Sequence, residues 1–321
     1  MSNYLVVVTD DRFGSYSEEK EVLGELDVEL KIFNCATEDE VIDAVRGADG
    51  VLVNLAPVTE NVIRAMDRCK VISRYGVGYD NVNIDVATER GIWVARVPDY
   101  SFEDVSDHAL ALLMGAVRKI TYKDRRIREG GWNIRKEQPI HRIKGRVLGL
   151  VGYGAIARTL HRKVSGLGLK GVLVYDPFVE EEEIAKQGAE KVSFERLLKD
   201  SDFISIHVPL TDETFHMFGK SEFKLMKGEA IVINTSRGPV IDEKALIEAL
   251  EGGKIGYACL DVFETEPLPD NHPLKRLNNV ILTDHTGYYS EESLVELKTK
   301  AAKNILEVLK GNKPIYPVND V

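Results

Sequence analysis

Three side chains that could act on a small acid, Arg237, Glu266 and His285, each follow a short apolar run typical of a buried strand. An arginine can bind a carboxylate and polarise a carbonyl. A histidine is the natural proton donor near neutral pH, and a glutamate beside it favours the imidazolium and fixes its orientation. Because open α/β sheets bind ligands beyond the carboxyl ends of their strands, the three side chains can converge on one point. Alone, Glu266 would be read as a solvated loop acid, and His285 fits a structural role equally well, so the prediction depends on the combination.

An apolar run, two glycines and a helical pattern follow one another in V-L-G-L-V-G-Y-G-A-I-A-R-T-L (147–160). The first glycine permits a tight turn, the second lets the backbone approach a pyrophosphate, and the alanine at 157 keeps helix and strand close. The start of the helix offers free N–H groups and a partial positive charge to phosphates. A strand before the glycines and a helix after them are the context that indicates a dinucleotide site. The predicted contacts are Gly152, Tyr153, Gly154, Ala155 and Ile156.

Asp176 ends the next predicted strand, V-L-V-Y, 24 residues after Gly152 (176 − 152). An acid at about this distance from the glycine loop binds the ribose hydroxyls of a dinucleotide. Its charge would repel a 2′-phosphate, and no arginine follows to bind one. The sequence therefore predicts NAD (NADH) rather than NADP as the cofactor.

Short β-branched runs alternate with helical patterns over nearly the whole chain, which is typical of βαβ units and parallel sheets. They form two series joined by one long predicted helix, 102–120, and a second long helix, 290–309, closes the chain. A ligand site is expected in a cleft between two such units. The predicted strands are 5–9, 28–33, 50–54, 71–73 and 92–94, then 147–151, 172–175, 203–207, 230–234, 257–260 and 280–282.

Composition disfavours several other classes of protein. The formal net charge of −10 argues against nucleic-acid binding, and no apolar run reaches the roughly 18 residues of a membrane span. Cys35, Cys69 and Cys259 are scattered without a Cys/His cluster, so we expect no metal and a cytoplasmic location. The first residues lack the features of a signal peptide. The basic run 123–128 is interpreted as a solvated or subunit-facing helix end.

A second glycine pair, in R-Y-G-V-G-Y-D-N (74–81), does not suit a nucleotide, because Asn81 stands where a third small residue is required. The turn can instead offer backbone N–H groups to a small anion. Arg74 could bind a second anionic group of a substrate or pair with an acid such as Asp80. These two alternatives stay open.

Six segments, taken in order, resemble the D-isomer-specific 2-hydroxyacid dehydrogenase family over nearly the whole chain. Their succession is far more specific than any one of them. They are R-Y-G-V-G-Y-D-N-V (74–82), V-G-Y-G-A-I-A (151–157), H-V-P-L-T (207–211), N-T-S-R-G-P-V-I-D-E (234–243), L-D-V-F-E-T-E-P (260–267) and D-H-T-G (284–287).

The resemblance implies roles for individual residues. Arg237 would bind the substrate, and Glu266 would pair with His285, the proton donor. Backbone N–H groups at 75–78 would hold the substrate carboxylate. The expected substrate contacts are Tyr75, Gly76, Val77, Gly78 and Arg237, with Asn54 and Arg74 as further candidates for the pocket lining. The expected cofactor contacts beyond the glycine loop and Asp176 are His207, Val208, Pro209, Thr214, Thr235, Ser236, Arg237, Asp261, His285 and Gly287.

The resemblance also implies an α/β fold with two Rossmann-like, doubly wound parallel-sheet domains. The dinucleotide-binding domain, 100–287, would be inserted into a smaller flavodoxin-like substrate domain, 1–99 plus 288–321. The helix near Phe102 and the segment G-G-W (130–132) would form a homodimer interface through the NAD-binding domain.

The predicted reaction is reversible hydride transfer between NADH and the C2 carbonyl of a small 2-oxo acid such as glyoxylate or hydroxypyruvate. Tyr288, Tyr289 and Ser290 depart from the common family pattern of small residues, and they resemble the branch that includes C-terminal-binding-protein corepressors. An NAD(H)-responsive scaffold is therefore the alternative from another class. Phosphite oxidation, with a similar Arg, Glu and His set, is a further alternative. Formate dehydrogenase is disfavoured because it has glutamine where Glu266 stands.

Overall fold

The computed structural model describes residues 3–132 and 139–321. The chain divides into two compact units. The first comprises Met1–Ser101 and Ser290–Val321, and the second is Phe102–Tyr289. The second unit is thus inserted into the first, as the predicted fold class requires.

The first unit contains a five-stranded parallel sheet in the order β2-β1-β3-β4-β5. Strand β3 is buried along its whole length, as expected for a strand covered by helices on both faces. Side-chain oxygens of Thr37, Thr59 and Asn83 cap three helices of this unit. The elements are β1 (Tyr4–Val8), α1 (Ser17–Leu23), β2 (Val28–Ile32), α2 (Glu38–Val45), β3 (Gly50–Val53), α3 (Glu60–Arg64), β4 (Val71–Arg74), α4 (Ile84–Glu89) and β5 (Trp93–Ala95).

The second unit contains a seven-stranded parallel sheet in the order β8-β7-β6-β9-β10-β11-β12. Its winding reverses between β6 and β9, which creates the crevice where doubly wound sheets bind nucleotides. The elements are α5 (Phe102–Arg118), α6 (Ile120–Arg128), β6 (Val147–Val151), α7 (Ala155–Val164), β7 (Gly171–Tyr175), α8 (Glu181–Lys186), β8 (Glu190–Lys191), α9 (Phe194–Asp200), β9 (Phe203–Ile206), α10 (Lys220–Leu225), β10 (Ile231–Asn234), α11 (Glu243–Glu251), β11 (Tyr257–Leu260) and β12 (Val280–Leu282).

The chain returns to the first unit with α12 (Glu291–Leu309), which packs against α1 and strands β3, β4 and β5. Ala301, Ala302 and Ile305 are fully buried on this helix. The serine at 290 begins it with a capping box. The C-terminal segment of the chain is therefore part of the core of the first unit.

Two elements differ from the sequence prediction. Strand β8 was not predicted, because its two residues are too short to show a periodic pattern. The long helix predicted for 102–120 ends at Arg118. Lys119 adopts a left-handed conformation (φ 57°), with its amine 4.1 Å from the centre of the Tyr257 ring, and α6 starts at the next residue. Burial lowers the pKa of the Lys119 amine.

None of the helices in the described residues is long and apolar enough to cross a membrane. The same residues contain no group of three His, Cys, Asp or Glu side chains that could hold a metal ion. The three cysteines are free thiols.

Candidate active site

The glycine loop joins β6 to α7 at the point where the second sheet reverses its winding. Gly152 has a φ of +86°, and a Cβ there would lie 2.9 Å from the backbone of His207, so only glycine fits. The N–H of Gly152 donates to the carbonyl of Tyr175 (2.8 Å). Gly154 and Ala155 are exposed where the helix begins, and an added Cβ on Gly154 would meet open space. The loop thus leaves the first N–H groups of α7 accessible to a ligand.

Tyr153 and Ile156, the other two residues predicted in this loop, are less exposed than Gly154 and Ala155. Tyr153 is fully buried, and its hydroxyl hydrogen-bonds the ring nitrogen Nδ1 of His161 (2.8 Å). Ile156 is half-buried, and the next residue, Ala157, is fully buried where α7 packs. The exposed residues of the loop are therefore Gly154 and Ala155.

Asp176 follows β7, beside the glycine loop. Its Oδ2 accepts a hydrogen bond from the Tyr153 N–H (2.7 Å), and its Oδ1 accepts from the N–H groups of Phe178 (2.8 Å) and Val179 (3.1 Å). Each carboxylate oxygen has two lone pairs, so these three contacts orient the group and leave one lone pair, on Oδ2, for a further hydroxyl.

The loop after β9 carries His207, Val208, Pro209 and Thr214. The Thr214 hydroxyl donates to the Pro209 carbonyl (2.6 Å), which closes this loop on itself. His207 Nε2 pairs with the Ser205 hydroxyl (2.9 Å), and burial lowers the pKa of His207 to about 4. His207 is therefore neutral at physiological pH and unsuited to be a proton donor there.

The loop after β10 carries Thr235, Ser236 and Arg237. Asn234, fully buried at the end of the strand, accepts from the Ser236 hydroxyl (2.8 Å) and donates to the Arg237 carbonyl (2.8 Å). The Thr235 hydroxyl is buried, and no hydrogen-bond partner for it is found among the described residues. A buried hydroxyl without a partner is unfavourable, so this atom is a candidate for a ligand contact.

The loops after β10 and β11 touch at Gly238. A Cβ at this position would lie 1.9 Å from the carbonyl carbon of Phe263, so a larger residue would push the two loops apart. Arg237 immediately precedes this contact, and Glu266 lies three residues beyond Phe263. The close approach therefore places the arginine loop beside the glutamate loop.

His285 and Glu266 form a hydrogen-bonded pair. The distance from His285 Nδ1 to Glu266 Oε2 is 2.6 Å, and both side chains are about one-third exposed. The other carboxylate oxygen accepts from the Phe263 N–H (2.9 Å). Burial raises the pKa of Glu266, but hydrogen bonds from His285 and Phe263 and the charge of Arg237 outweigh burial, so the pKa lies below its usual value. Glu266 is thus ionised at neutral pH, and Nε2 is the ring nitrogen of His285 that faces away from the pair.

His285 adopts a left-handed backbone conformation, with φ at 56°. This conformation costs a non-glycine residue on the order of 1–3 kcal/mol and persists only where neighbouring contacts impose it. Here the His285 N–H donates to the Asp261 carbonyl (2.9 Å). The side chain of Asp261 also accepts from the N–H groups of Thr286 (3.1 Å) and Gly287 (2.9 Å). Asp261 therefore holds the turn around His285.

His108 on α5 completes this network, and the sequence did not indicate it. Its Nε2 lies 2.9 Å from the Thr283 hydroxyl and 3.3 Å from Asp261 Oδ1, and the Thr283 hydroxyl donates to the same oxygen (2.6 Å). Burial raises the pKa of Asp261, but hydrogen bonds from His108, Thr283 and Gly287 outweigh burial and leave the pKa below its usual value. The predicted contact between Asp261 and the nicotinamide stays a prediction.

Tyr288 lies against the His285–Glu266 pair. Its ring stands edge-on to that of His285, with 6.3 Å between centroids and an interplanar angle of 80°. Tyr289 is 48% exposed, and its N–H donates to the Thr286 carbonyl (2.9 Å). The first tyrosine therefore contacts the candidate proton donor, and the second is about half exposed.

The residues predicted to bind the substrate in the first unit follow β3 and β4. The N–H groups of Val77 and Gly78 have no acceptor in the described residues, whereas those of Tyr75 and Gly76 donate to Val53 (2.8 Å) and Arg74 (3.0 Å). An Arg74 nitrogen donates to the Tyr75 carbonyl (2.6 Å), a contact that neither sequence alternative included. Asn54 is 8% exposed, so its side chain is largely buried.

Comparison with known proteins agrees with these features. Residues 110–287 match the profile of the D-isomer specific 2-hydroxyacid dehydrogenase, NAD binding domain. A glyoxylate reductase of Korarchaeum cryptofilum is 40% identical over 283 residues, which make up 87% of this chain and 85% of that protein. A D-3-phosphoglycerate dehydrogenase of Methanocaldococcus jannaschii is 38% identical over 316 residues, 98% of this chain but 59% of that longer protein. The D-lactate dehydrogenase from Aquifex aeolicus, solved with NAD and lactic acid, has a TM-score of 0.85 at 30% identity over 96% of each chain.

The residues present fit the dinucleotide that the profile implies. The glycine loop leaves a helix start accessible, Asp176 is oriented for hydroxyl groups, and the buried Thr235 hydroxyl has no acceptor in the described part of the chain. NAD(H) is the cofactor, and the protein is an NAD-dependent oxidoreductase acting on CH–OH groups, so the predicted cofactor and enzyme class are confirmed. With a profile match over more than half its length and a relative 40% identical, the chain belongs to the D-isomer-specific 2-hydroxyacid dehydrogenase family.

Proposed function

We propose that the chain reduces a small 2-oxo acid to its 2-hydroxy acid, either glyoxylate to glycolate or hydroxypyruvate to D-glycerate, and catalyses the reverse oxidation. The observation that carries this proposal is the His285–Glu266 pair, at 2.6 Å, whose glutamate lies in the loop that touches the Arg237 loop. A proton donor and a carboxylate-binding cation are what reduction of a 2-oxo acid requires.

In this proposal Arg237 binds the substrate carboxylate and polarises the C2 carbonyl. NADH, held by the glycine loop and Asp176, would supply the hydride that the carbonyl carbon receives. His285 gives its Nε2 proton to the carbonyl oxygen, so that a C–H and an O–H bond replace the carbonyl π bond. Glu266 holds Nδ1 and stabilises the protonated ring before the transfer. In the oxidation direction His285 takes the proton back.

We also propose that the N–H groups of Val77 and Gly78 hold the substrate carboxylate. Support comes from their lack of an acceptor among the described residues, which leaves two adjacent donors for a small anion. Tyr75 and Gly76 would fix the path of this turn through their backbone contacts. Asn54 and Arg74 remain candidates for lining the pocket.

The remaining cofactor contacts are proposed by analogy with the family. The N–H groups at 154–156 would receive the pyrophosphate, and Asp176 would accept the ribose hydroxyls. Residues at the carboxyl ends of the other strands would line the rest of the site. They are His207, Val208, Pro209, Thr214, Thr235, Ser236, Asp261 and Gly287.

The substrate is proposed from the relatives named glyoxylate reductase, one of them 40% identical. The test is NADH absorbance with glyoxylate, hydroxypyruvate, pyruvate and larger 2-oxo acids in turn. We expect NADH consumption with glyoxylate or hydroxypyruvate at the highest kcat/KM. Tight NADH binding without turnover of any 2-oxo acid would contradict the proposal and favour the scaffold. Phosphite and NAD are tested in parallel. Formation of NADH in that assay would favour phosphite oxidation as the function.

The Asp176 side chain is expected to set the preference for NADH. Asp176→Ala should raise the KM for NADH on the order of tenfold and lower the NADH/NADPH ratio of kcat/KM by a similar factor, because a charged acceptor for the ribose is lost. Asp176→Asn is the matched control, since it removes the charge and keeps one oxygen for the local N–H groups. Unchanged cofactor preference in both variants would contradict this role.

We further propose a homodimer formed through the second unit. Ile120 and Ile127 on α6 and Trp132 just beyond it are 58%, 46% and 83% exposed, and a partner would cover such apolar side chains. Light scattering gives the molar mass that decides between monomer and dimer.

A further inference from the structure

The first sheet reverses its winding between β1 and β3, which are neighbours in its strand order. Doubly wound sheets bind ligands at such a point, beyond the carboxyl ends of the strands. Asp10 follows β1, and residues 54–56 follow β3. The second segment includes Asn54, a candidate for the substrate pocket.

Asp10 binds three successive backbone N–H groups of this segment. Its Oδ1 accepts from the N–H of Asn54 (2.9 Å), and its Oδ2 accepts from those of Leu55 (2.6 Å) and Ala56 (3.3 Å). The Thr9 hydroxyl donates to Oδ1 (2.8 Å), and Asp10 is 7% exposed. Because hydrogen bonds to an ionised acceptor are strong and directional, the carboxylate fixes the path of the segment.

Asn81 holds the same segment through its carbonyl groups. The Asn81 Nδ2 donates to the carbonyls of Asn54 (3.2 Å) and Ala56 (2.8 Å). Its own backbone carbonyl accepts from the Val58 N–H (2.8 Å). Both amide hydrogens are used, and an aspartate here could not donate them. Asn81 ends the segment that follows β4, so this side chain joins two loops that we propose to bind the substrate.

We infer that Asp10 and Asn81 are positioning residues for the 2-oxo acid, and we call the pair the loop clasp. The inference rests on the proposed function, because it assigns the loops at 54–56 and 75–78 to the substrate. The loop clasp acts through the backbone that it holds, and it contributes nothing to proton transfer. Its loss therefore weakens substrate binding and leaves chemistry and NADH binding intact.

The test uses Asp10→Asn, which places an amide NH2 against backbone donors, and Asn81→Asp, which faces two carbonyl oxygens with a carboxylate. Each should raise the KM for the best 2-oxo acid substrate on the order of tenfold, while kcat and the KM for NADH stay within about twofold of wild type. Asp39→Asn is the matched control, because it removes one charge from an exposed position of the same unit. If Asp10→Asn does not fold, Asn81→Ala removes the two amide contacts without adding a charge.

Three outcomes would overturn the loop clasp. The first is an unchanged KM for the 2-oxo acid in the variants. The second is a fall in kcat and in NADH affinity as large as the rise in KM, because such a fall indicates general destabilisation. Unaltered amide hydrogen exchange at 54–56 in Asp10→Asn would contradict the geometry. Failure of the proposed function gives a different result. The wild type itself would then turn over no 2-oxo acid, whereas amide hydrogen exchange at 54–56 would still be faster in Asp10→Asn than in Asp39→Asn.

Discussion

Replacing His285 with alanine is expected to lower kcat for 2-oxo acid reduction by a factor on the order of 10² or more, because the variant has no group to protonate the carbonyl oxygen. The affinity for NADH should change little, since the glycine loop and Asp176 are untouched. Steady-state kinetics give the first quantity, and quenching of protein fluorescence by NADH gives the second.

Glu266→Gln separates the proton donor from the residue that orients it. Glutamine can still accept from the Phe263 N–H and approach His285 Nδ1, but it carries no charge to stabilise the protonated ring. We expect a smaller loss of kcat than in His285→Ala, about tenfold. A His285→Ala variant with nearly full kcat on the true substrate would refute the assignment of the proton donor.

Replacing Arg237 with alanine is expected to lower kcat/KM for the 2-oxo acid by a factor on the order of 10³. Two charge-assisted hydrogen bonds to a carboxylate, at about 1.5–3 kcal/mol each, total about 3–6 kcal/mol, which corresponds to a factor of about 10² to 10⁴. Because arginine also polarises the carbonyl, both KM and kcat should suffer. Arg237→Lys should recover only part of the loss, since a lysine lacks the planar fork that binds both carboxylate oxygens.

Arg196→Ala is the matched control for Arg237→Ala. Arg196 lies on the exposed surface of the same unit, paired with Glu190 and Asp200, and its removal should leave kcat/KM unchanged. Added guanidinium should partly restore activity to Arg237→Ala and have no such effect on wild type. A value of kcat/KM within twofold of wild type in Arg237→Ala would contradict the proposed anchor.

Most strands were predictable because they are buried on both faces, and their sequences are therefore continuous apolar runs. Strands β9 and β10, F-I-S-I and I-V-I-N, are buried at every residue. The two residues of β8 are too few to form such a run. Lys119 does not indicate a helix break, because lysine is a common helical residue. Sequence periodicity therefore misses very short strands and single residues in unusual backbone conformations.

The candidate site was predictable where chemistry coincides with the end of a strand, as it does for His285 and Asp176. The contacts that orient these groups were not. His108 and Thr283 are 175 residues apart, and Asp10 contacts a backbone segment 44 to 46 residues away. Hydrogen bonds at such separations depend on how the strands are ordered in the sheet, and the local sequence does not encode that order. An acid directly after the first strand was the one available signal for Asp10.

The most direct test of the central claim follows the hydride itself. NADH deuterated at the transferred position of C4 is incubated with the enzyme and glyoxylate, and the product is analysed by mass spectrometry and NMR. We predict glycolate that carries one deuterium at C2, formed at the rate of NADH consumption by the wild type and more slowly by His285→Ala. Glycolate without deuterium, or labelled NADH that persists with glyoxylate and with every other 2-oxo acid of the panel, would contradict hydride transfer to a 2-oxo acid.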